Sequence, residues 1–294
     1  MKLEGSIVAL VTPFHPDGSV HYEKLEELLK YHLNHETDGI VILGTTGEAT
    51  TLTDEEKEKI ISLSVKVVNH RIPLIVGAGS NDTQKAVFLA EKYSKMGVDY
   101  ILSITPYYNK TNDAGLIAHF QAIADHSSVP VILYNVPSRT GMQIKISVLE
   151  VLSKHKNICG IKEASGNMSY IVEVSRLISP DFVLLSGNDD IIVPMMSMGA
   201  SGVISVLANI CPRQTHRMCH LCLEQDYKEA SRIQKELLPV INALFYETNP
   251  IPVKAAMNDL GFSVGGYRMP LFFMDEALKA KLEAILEENK EKVF

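Results

Sequence analysis

The sequence predicts an α/β fold, a (β/α)8 TIM barrel followed by a C-terminal helical appendage. Three observations predict it. Eight short apolar, β-branched runs recur along the chain. Each lacks the strict polar alternation of a half-exposed strand, as expected for strands covered on both faces. Helical patterns lie between them, giving strand–helix units of about 20 to 35 residues, which fit a closed barrel better than an open doubly wound sheet.

The first run is "GSIVALV" (5–11), and "HYEKLEELLKYHL" after it places Tyr22, Leu25, Leu28, Leu29 and Leu33 on one helical face. The second, "GIVILG" (39–44), leads to "TDEEKEKIISLSVKVV", whose Thr53 and Glu56 form a capping box for the free N–H groups of the first turn. The third, fourth and fifth are "PLIVGAG" (73–79), "YILSIT" (100–105) and "PVILYN" (130–135). "ICGIKE" (158–163), "FVLLSG" (182–187) and "GVISV" (202–206) complete the eight. About 80 further residues of helix pattern follow, with Tyr227, Ala230, Ile233 and Leu237 at helical spacing. They exceed the needs of a barrel. The expected division is therefore a catalytic barrel over 1–210 and a helical region over 211–294 packed on it, serving assembly.

The bulk properties narrow the function classes. A formal net charge of -7, without a basic run, excludes a nucleic-acid or anionic-membrane surface, so an anionic ligand must be held by local groups. Lys2 and the apolar run behind it outline a signal peptide poorly: Glu4 interrupts and no small-residue cleavage site follows. No segment has the 18 or so apolar residues of a membrane span. The expectation is a cytoplasmic protein, and four cysteines fit a reducing compartment. Cys211, Cys219 and Cys222 with His216 and His220 would be geometrically able to hold a metal on a helix; a packed amphipathic helix with buried thiols is the favoured reading. Two sequons, at Asn81 and Asn167, carry no weight inside a cell.

In a barrel of this kind the chemistry sits where the strands end. Those ends are polar, glycine-rich turns: "GTTGEAT", "GAGSND", "TPYYNK", "YNVPSRTG", "KEASGN", "SGNDD" and "ISVLAN". Lys162 is the most informative residue among them. An ordinary lysine keeps its proton at neutral pH, whereas an amine buried among apolar walls favours the neutral form that adds to a carbonyl. The plain alternative is a lysine ion-paired with Glu163 or snorkelling to solvent. Adjacent strand residues point to opposite faces, so a Lys162 inside the barrel leaves Glu163 outside it.

Imine chemistry needs proton shuttles. Tyr134, Tyr107 and Tyr108 offer phenols, and Thr45 and Thr46 offer hydroxyls. "GTTGE" supplies N–H groups and hydroxyls in a tight turn suited to a carboxylate, and Arg139 would grip a second one bidentately. Asp189 and Asp190 after the seventh strand would repel a phosphate. "GAGSND" lacks the third glycine of a dinucleotide fingerprint, and neither a Walker motif nor His-Glu-x-x-His occurs.

"GIVILGTTGE" (39–48), "YNVPSRTG" (134–141) and "GIKEASGN" (160–167), in this order and spacing, resemble the pyruvate-dependent class I aldolase and lyase family over essentially the whole chain. "TPYYNK" and "TNPIPVK" (248–254) point to its synthase branch, which condenses pyruvate with L-aspartate 4-semialdehyde in lysine and diaminopimelate biosynthesis. The resemblance implies that Lys162 forms a Schiff base with pyruvate. Tyr134 would act as acid and base, with Thr45 and Tyr108 completing a proton relay and Tyr108 reaching across a dimer interface. Thr46 would bind the pyruvate carboxylate and Arg139 that of the aldehyde. The carbonyls of Gly187 and Ile204 would help shape the site. No metal or organic cofactor is implied, and the implied assembly is a homotetramer, a dimer of dimers.

Two alternatives stand beside this reading. One is a lyase of the same family acting on N-acetylneuraminate or a 2-keto-3-deoxy sugar acid; a cation at Arg139 favours a short anionic aldehyde instead. The other is a catalytically inactive barrel that senses a keto acid, which would need no proton relay. Where lysine-inhibited members carry serine, two histidines and glutamate in a regulatory cleft, this chain has Ala49, Asp54, Lys57 and Lys85, while Asn81 and Tyr107 are kept. Feedback by lysine is therefore expected to be weak or absent.

Overall fold

Eight parallel strands close on themselves in chain order in the computed structural model, which describes residues 2–293. They are β1 (Gly5–Ala9), β2 (Gly39–Ile42), β3 (Leu74–Gly77), β4 (Tyr100–Ile104), β5 (Val131–Asn135), β6 (Ile158–Glu163), β7 (Val183–Ser186) and β8 (Gly202–Ser205). Each falls within one of the eight apolar runs. Closure is made by β1 against β8, with Gly5 opposite Gly202 and Ile7 opposite Ile204. The backbones meet so closely at this seam that a Cβ on Gly202 would lie 2.1 Å from the Gly5 carbonyl oxygen. Only glycine fits there.

The helices follow the strand–helix alternation: α1 (Tyr22–Leu33), α2 (Asp54–Val68), α3 (Thr83–Ser94), α4 (Asp113–His126), α5 (Pro137–Thr140), α6 (Ile146–Leu152), α7 (Met168–Ser175) and α8 (Ile192–Ser197). After β8 come α9 (Pro212–Leu223), α10 (Tyr227–Ala243), α11 (Ile251–Asp259), α12 (Glu276–Glu288) and α13 (Lys290–Val293). Thr53 and Glu56 form the expected reciprocal capping box at the start of α2. On α1 the inward face is Leu25, Leu28, Leu29 and His32, so a histidine takes the fully buried place that periodicity gives to Leu33. Its Nδ1 lies 3.0 Å from Thr37 Oγ1, and burial pushes the ring down to about 3.

Two apolar layers result from strand residues alternating in and out. Ile7, Ala9, Val41, Ile75, Leu102, Ile132, Tyr134, Leu185 and Ile204 fill the barrel. A larger layer packs the outer strand faces against the helices, α9 included, and extends into α10–α12. The C-terminal region is joined to the barrel by a buried ion pair. Lys254 Nζ, on α11, donates to Glu48 Oε1 at 2.8 Å and to the Thr12 carbonyl at 3.0 Å. Among the described residues no helix is long and apolar enough to cross a membrane.

Candidate active site

Lys162 and Tyr134 occupy paired positions on β6 and β5, and Leu185 stands opposite Lys162 on β7. Tyr134 and Leu185 both belong to the inner layer, so Lys162 is an inward residue at the C-terminal end of its strand. It is 8% exposed, and its Nζ lies 4.4 Å from the centroid of the Tyr134 ring. Among the described residues no carboxylate lies within ion-pairing distance of it. Glu163 faces the other way. Its carboxylate accepts from Asn135 Nδ2 and from the Ser165 N–H, each at 2.6 Å, and burial raises its pKa against these hydrogen bonds. The glutamate thus holds the loop after the lysine and leaves the amine alone.

The amine opens into a cavity of about 450 Å³, the size of a small-molecule site. Thr45, Thr46, Tyr107, Tyr134, Arg139 and Lys162 all line it. Thr46 is fixed by Asn249, whose Nδ2 donates to Thr46 Oγ1 at 3.0 Å. The same residue's backbone carbonyl accepts from Arg139 Nη2, also at 3.0 Å. One residue of the C-terminal region therefore anchors groups from two barrel loops. Behind this rim, Glu48 of "GTTGE" sits in the left-handed region at φ 52°, held by Lys254 and by the Arg268 N–H at 3.1 Å. That pairing, seen from the sequence, had no indicator beyond the motif "TNPIPVK" itself.

Three predicted residues lie elsewhere. Tyr108 is 93% exposed, at φ 68°, and does not line the cavity of its own chain. Gly187 and Ile204 are not in the cavity wall either: Ile204 is a buried inner-layer residue, and the Gly187 N–H donates to the Glu163 carbonyl at 2.7 Å. Lys57, on α2, Lys85, on α3, and Ala49 do line the same cavity.

Of the two aspartates read as a phosphate-repelling pair, Asp190 is exposed. Asp189 is buried, and its Oδ2 accepts from the N–H groups of Val206 and Leu207, each at 2.9 Å. It is a staple for the chain leaving β8, not a charge aimed at the cavity. Cys211, Cys219 and Cys222 are buried and free of disulfides, and burial pushes each thiol up. The thiols pack, as the amphipathic reading of α9 expects. His216 and His220 turn instead toward Asp38.

The comparisons with known proteins agree on one family. Residues 2–289 match the model of the dihydrodipicolinate synthetase family. A 4-hydroxy-tetrahydrodipicolinate synthase of Clostridium perfringens is 47% identical over 286 residues, which cover 97% of this chain and 98% of that one. The chain belongs to the dihydrodipicolinate synthetase family. Among solved structures, the dihydrodipicolinate synthase of Aquifex aeolicus superposes with a TM-score of 0.95 at 41% identity, covering 99% of both chains. That of Acinetobacter baumannii, solved in complex with pyruvate, gives 0.96 at 38% identity over the full length of both. Membership in the dihydrodipicolinate synthetase family agrees with the closed eight-stranded barrel of this chain.

Proposed function

We infer that the protein is a Schiff-base-forming lyase that condenses pyruvate with L-aspartate 4-semialdehyde to 4-hydroxy-tetrahydrodipicolinate, in lysine and diaminopimelate biosynthesis. The observation that carries this reading is Lys162: a buried amine, unpaired with any carboxylate among the described residues, over the Tyr134 ring and open to a cavity lined by hydroxyls and one guanidinium. The Lys162 amine adds to the keto carbon of pyruvate and water leaves, giving an imine. The methyl group loses a proton to give an enamine, whose carbon attacks the aldehyde. The substrate's own amine then attacks the imine carbon, closing the ring and expelling Lys162. One water is lost overall.

Each proton transfer needs a partner near the imine. Tyr134 is the assigned acid and base, relayed through Thr45 to Tyr108. Thr46, oriented by Asn249, takes the pyruvate carboxylate, and Arg139 takes that of the aldehyde. The carbonyls of Gly187 and Ile204 are assigned to shaping the site from behind the residues that line the cavity. Arg139 at the cavity rim also favours this reading over a sugar-acid lyase, whose hydroxylated substrate calls for neutral donors and acceptors.

Tyr108 is assigned to the site of a neighbouring subunit in a homotetramer built as a dimer of dimers. A phenol 93% exposed on a strained backbone is costly unless a partner covers it. Within the chain, the proposed division is a barrel over 1–210 and a helical region over 211–294, with α9 packed on β1 as the link.

Borohydride reduction in the presence of pyruvate, followed by peptide mass mapping, is expected to place the adduct on Lys162. A coupled assay with L-aspartate 4-semialdehyde then reads turnover; an adduct without turnover of this aldehyde overturns the assignment of the second substrate. Mixing inactive Lys162→Ala and Tyr108→Phe chains is expected to restore activity, because one mixed site then holds both native groups. Failure to complement sinks the crossed tyrosine.

A further inference from the structure

The geometry points to a divalent transition-metal site of the zinc class formed by Asp38, His216 and His220 on the face of the barrel opposite Lys162. Asp38 lies just before β2, and the two histidines are one helical turn apart on α9. His216 Nδ1 is 2.9 Å from Asp38 Oδ2, and His220 Nε2 is 3.0 Å from Asp38 Oδ1. The imidazoles lie together, ring centroids 3.9 Å apart. Three candidate ligand atoms, two nitrogens and one oxygen, therefore converge within 4.8 Å of one another.

The carboxylate is held in place from behind. The Ser6 N–H donates to Asp38 Oδ2 at 2.7 Å, and a Cβ on Gly5 would lie 2.3 Å from that same oxygen. This outer support orients a ligand before any ion arrives. The two nitrogen–oxygen contacts, 2.9 and 3.0 Å to the two oxygens of one carboxylate, are close to the roughly 3.3 to 3.6 Å that separates ligand atoms around a tetrahedral zinc. On coordination each neutral imidazole carries its remaining proton on the other ring nitrogen, and partial exposure of all three residues leaves the fourth position to water. Two imidazoles and one carboxylate select zinc, cobalt or nickel over magnesium or calcium, which take oxygen ligands.

A second described trio, His15, His21 and Glu23, is a weaker candidate. His21 Nδ1 already accepts the Lys24 N–H as the cap of α1, at 3.3 Å. Parallel strands put the ends carrying Asp38 and Lys162 at opposite mouths of the barrel, so the ion would clamp α9 to the start of β1 and β2 and take no part in the chemistry.

The test uses tag-free, full-length protein stripped with a chelator and titrated with Co²⁺, read by its visible d–d absorption, then displaced by Zn²⁺. One Co²⁺ per chain is expected, together with a Zn²⁺-dependent rise in melting temperature. His220→Gln, at a half-exposed position, should weaken affinity at least about tenfold while leaving turnover and the apo melting temperature unchanged. The double variant His15→Gln, His21→Gln should bind as the parent does. Absence of stoichiometric absorption, affinity equal to the parent's in His220→Gln, or loss confined to the His15/His21 variant overturns the assignment.

Discussion

Asn249 holds Thr46 through a hydrogen bond from its amide to the threonine hydroxyl at 3.0 Å, across 203 residues of sequence. Removing that donor leaves the hydroxyl free to rotate in a buried place. Asn249→Ala is expected to raise the KM for pyruvate roughly three- to tenfold, the equivalent of about one hydrogen bond. Steady-state kinetics with each substrate varied in turn will check it; an equal rise in the KM of both substrates would point to general loosening of the rim.

Tyr134 lies against the Lys162 amine but makes no covalent bond to pyruvate in the proposed sequence. Tyr134→Phe is expected to lower kcat by roughly 10² to 10⁴ while still yielding a borohydride-trapped adduct on Lys162. Loss of trapping along with turnover would show that the phenol is needed to form the imine itself.

The buried pair Lys254–Glu48 should be far more sensitive to losing one partner than both. Lys254→Met strands a carboxylate of 1% side-chain exposure and is expected to cost about 3 to 5 kcal/mol in denaturant unfolding. The double variant Lys254→Met, Glu48→Gln should recover a substantial part of that loss. A double-mutant cycle measures the coupling directly.

His32 predicts an acid limb in stability. Burial pushes its folded value down from 6.5 to about 3, so below pH 6.5 the unfolded chain takes up a proton that the folded chain refuses. Stability from this site is fully present above 6.5 and falls as the pH drops toward 3, with a slope approaching about 1.4 kcal/mol per pH unit. Urea melts at a series of pH values should show a flatter acid limb in His32→Gln than in the parent.

Lys57 and Lys85 line the same cavity as the candidate catalytic residues. Two cations there oppose the ammonium groups of free L-lysine. Millimolar L-lysine is expected to leave the rate of condensation nearly unchanged, and half-inhibition at submillimolar concentration would refute this.

The strand ends were legible because barrel strands alternate in and out with a period of two, which sent Lys162 inward and Glu163 outward. Local chemistry carried the capping box at Thr53 as well. What stayed hidden was the fate of polar side chains whose partners lie far along the chain. Asp189 satisfies N–H groups 17 and 18 residues away, Glu48 meets Lys254 across 206, and Asp38 meets His216 across 178. No periodicity encodes such pairings. The histidines on α9 were legible as one helical face, but not the aspartate before β2 that they touch.

The glycine seam between β1 and β8 has a consequence for synthesis. Gly5 leaves the ribosome before its partner Gly202, which follows some two-thirds of this chain's length later. Until then the nascent sheet carries two raw edges of unpaired N–H and C=O groups, a template for sticking to other chains. Fragments ending before Gly202 should accordingly clump when expressed, and chaperone occupancy on translating ribosomes should decline once the eighth strand clears the exit tunnel.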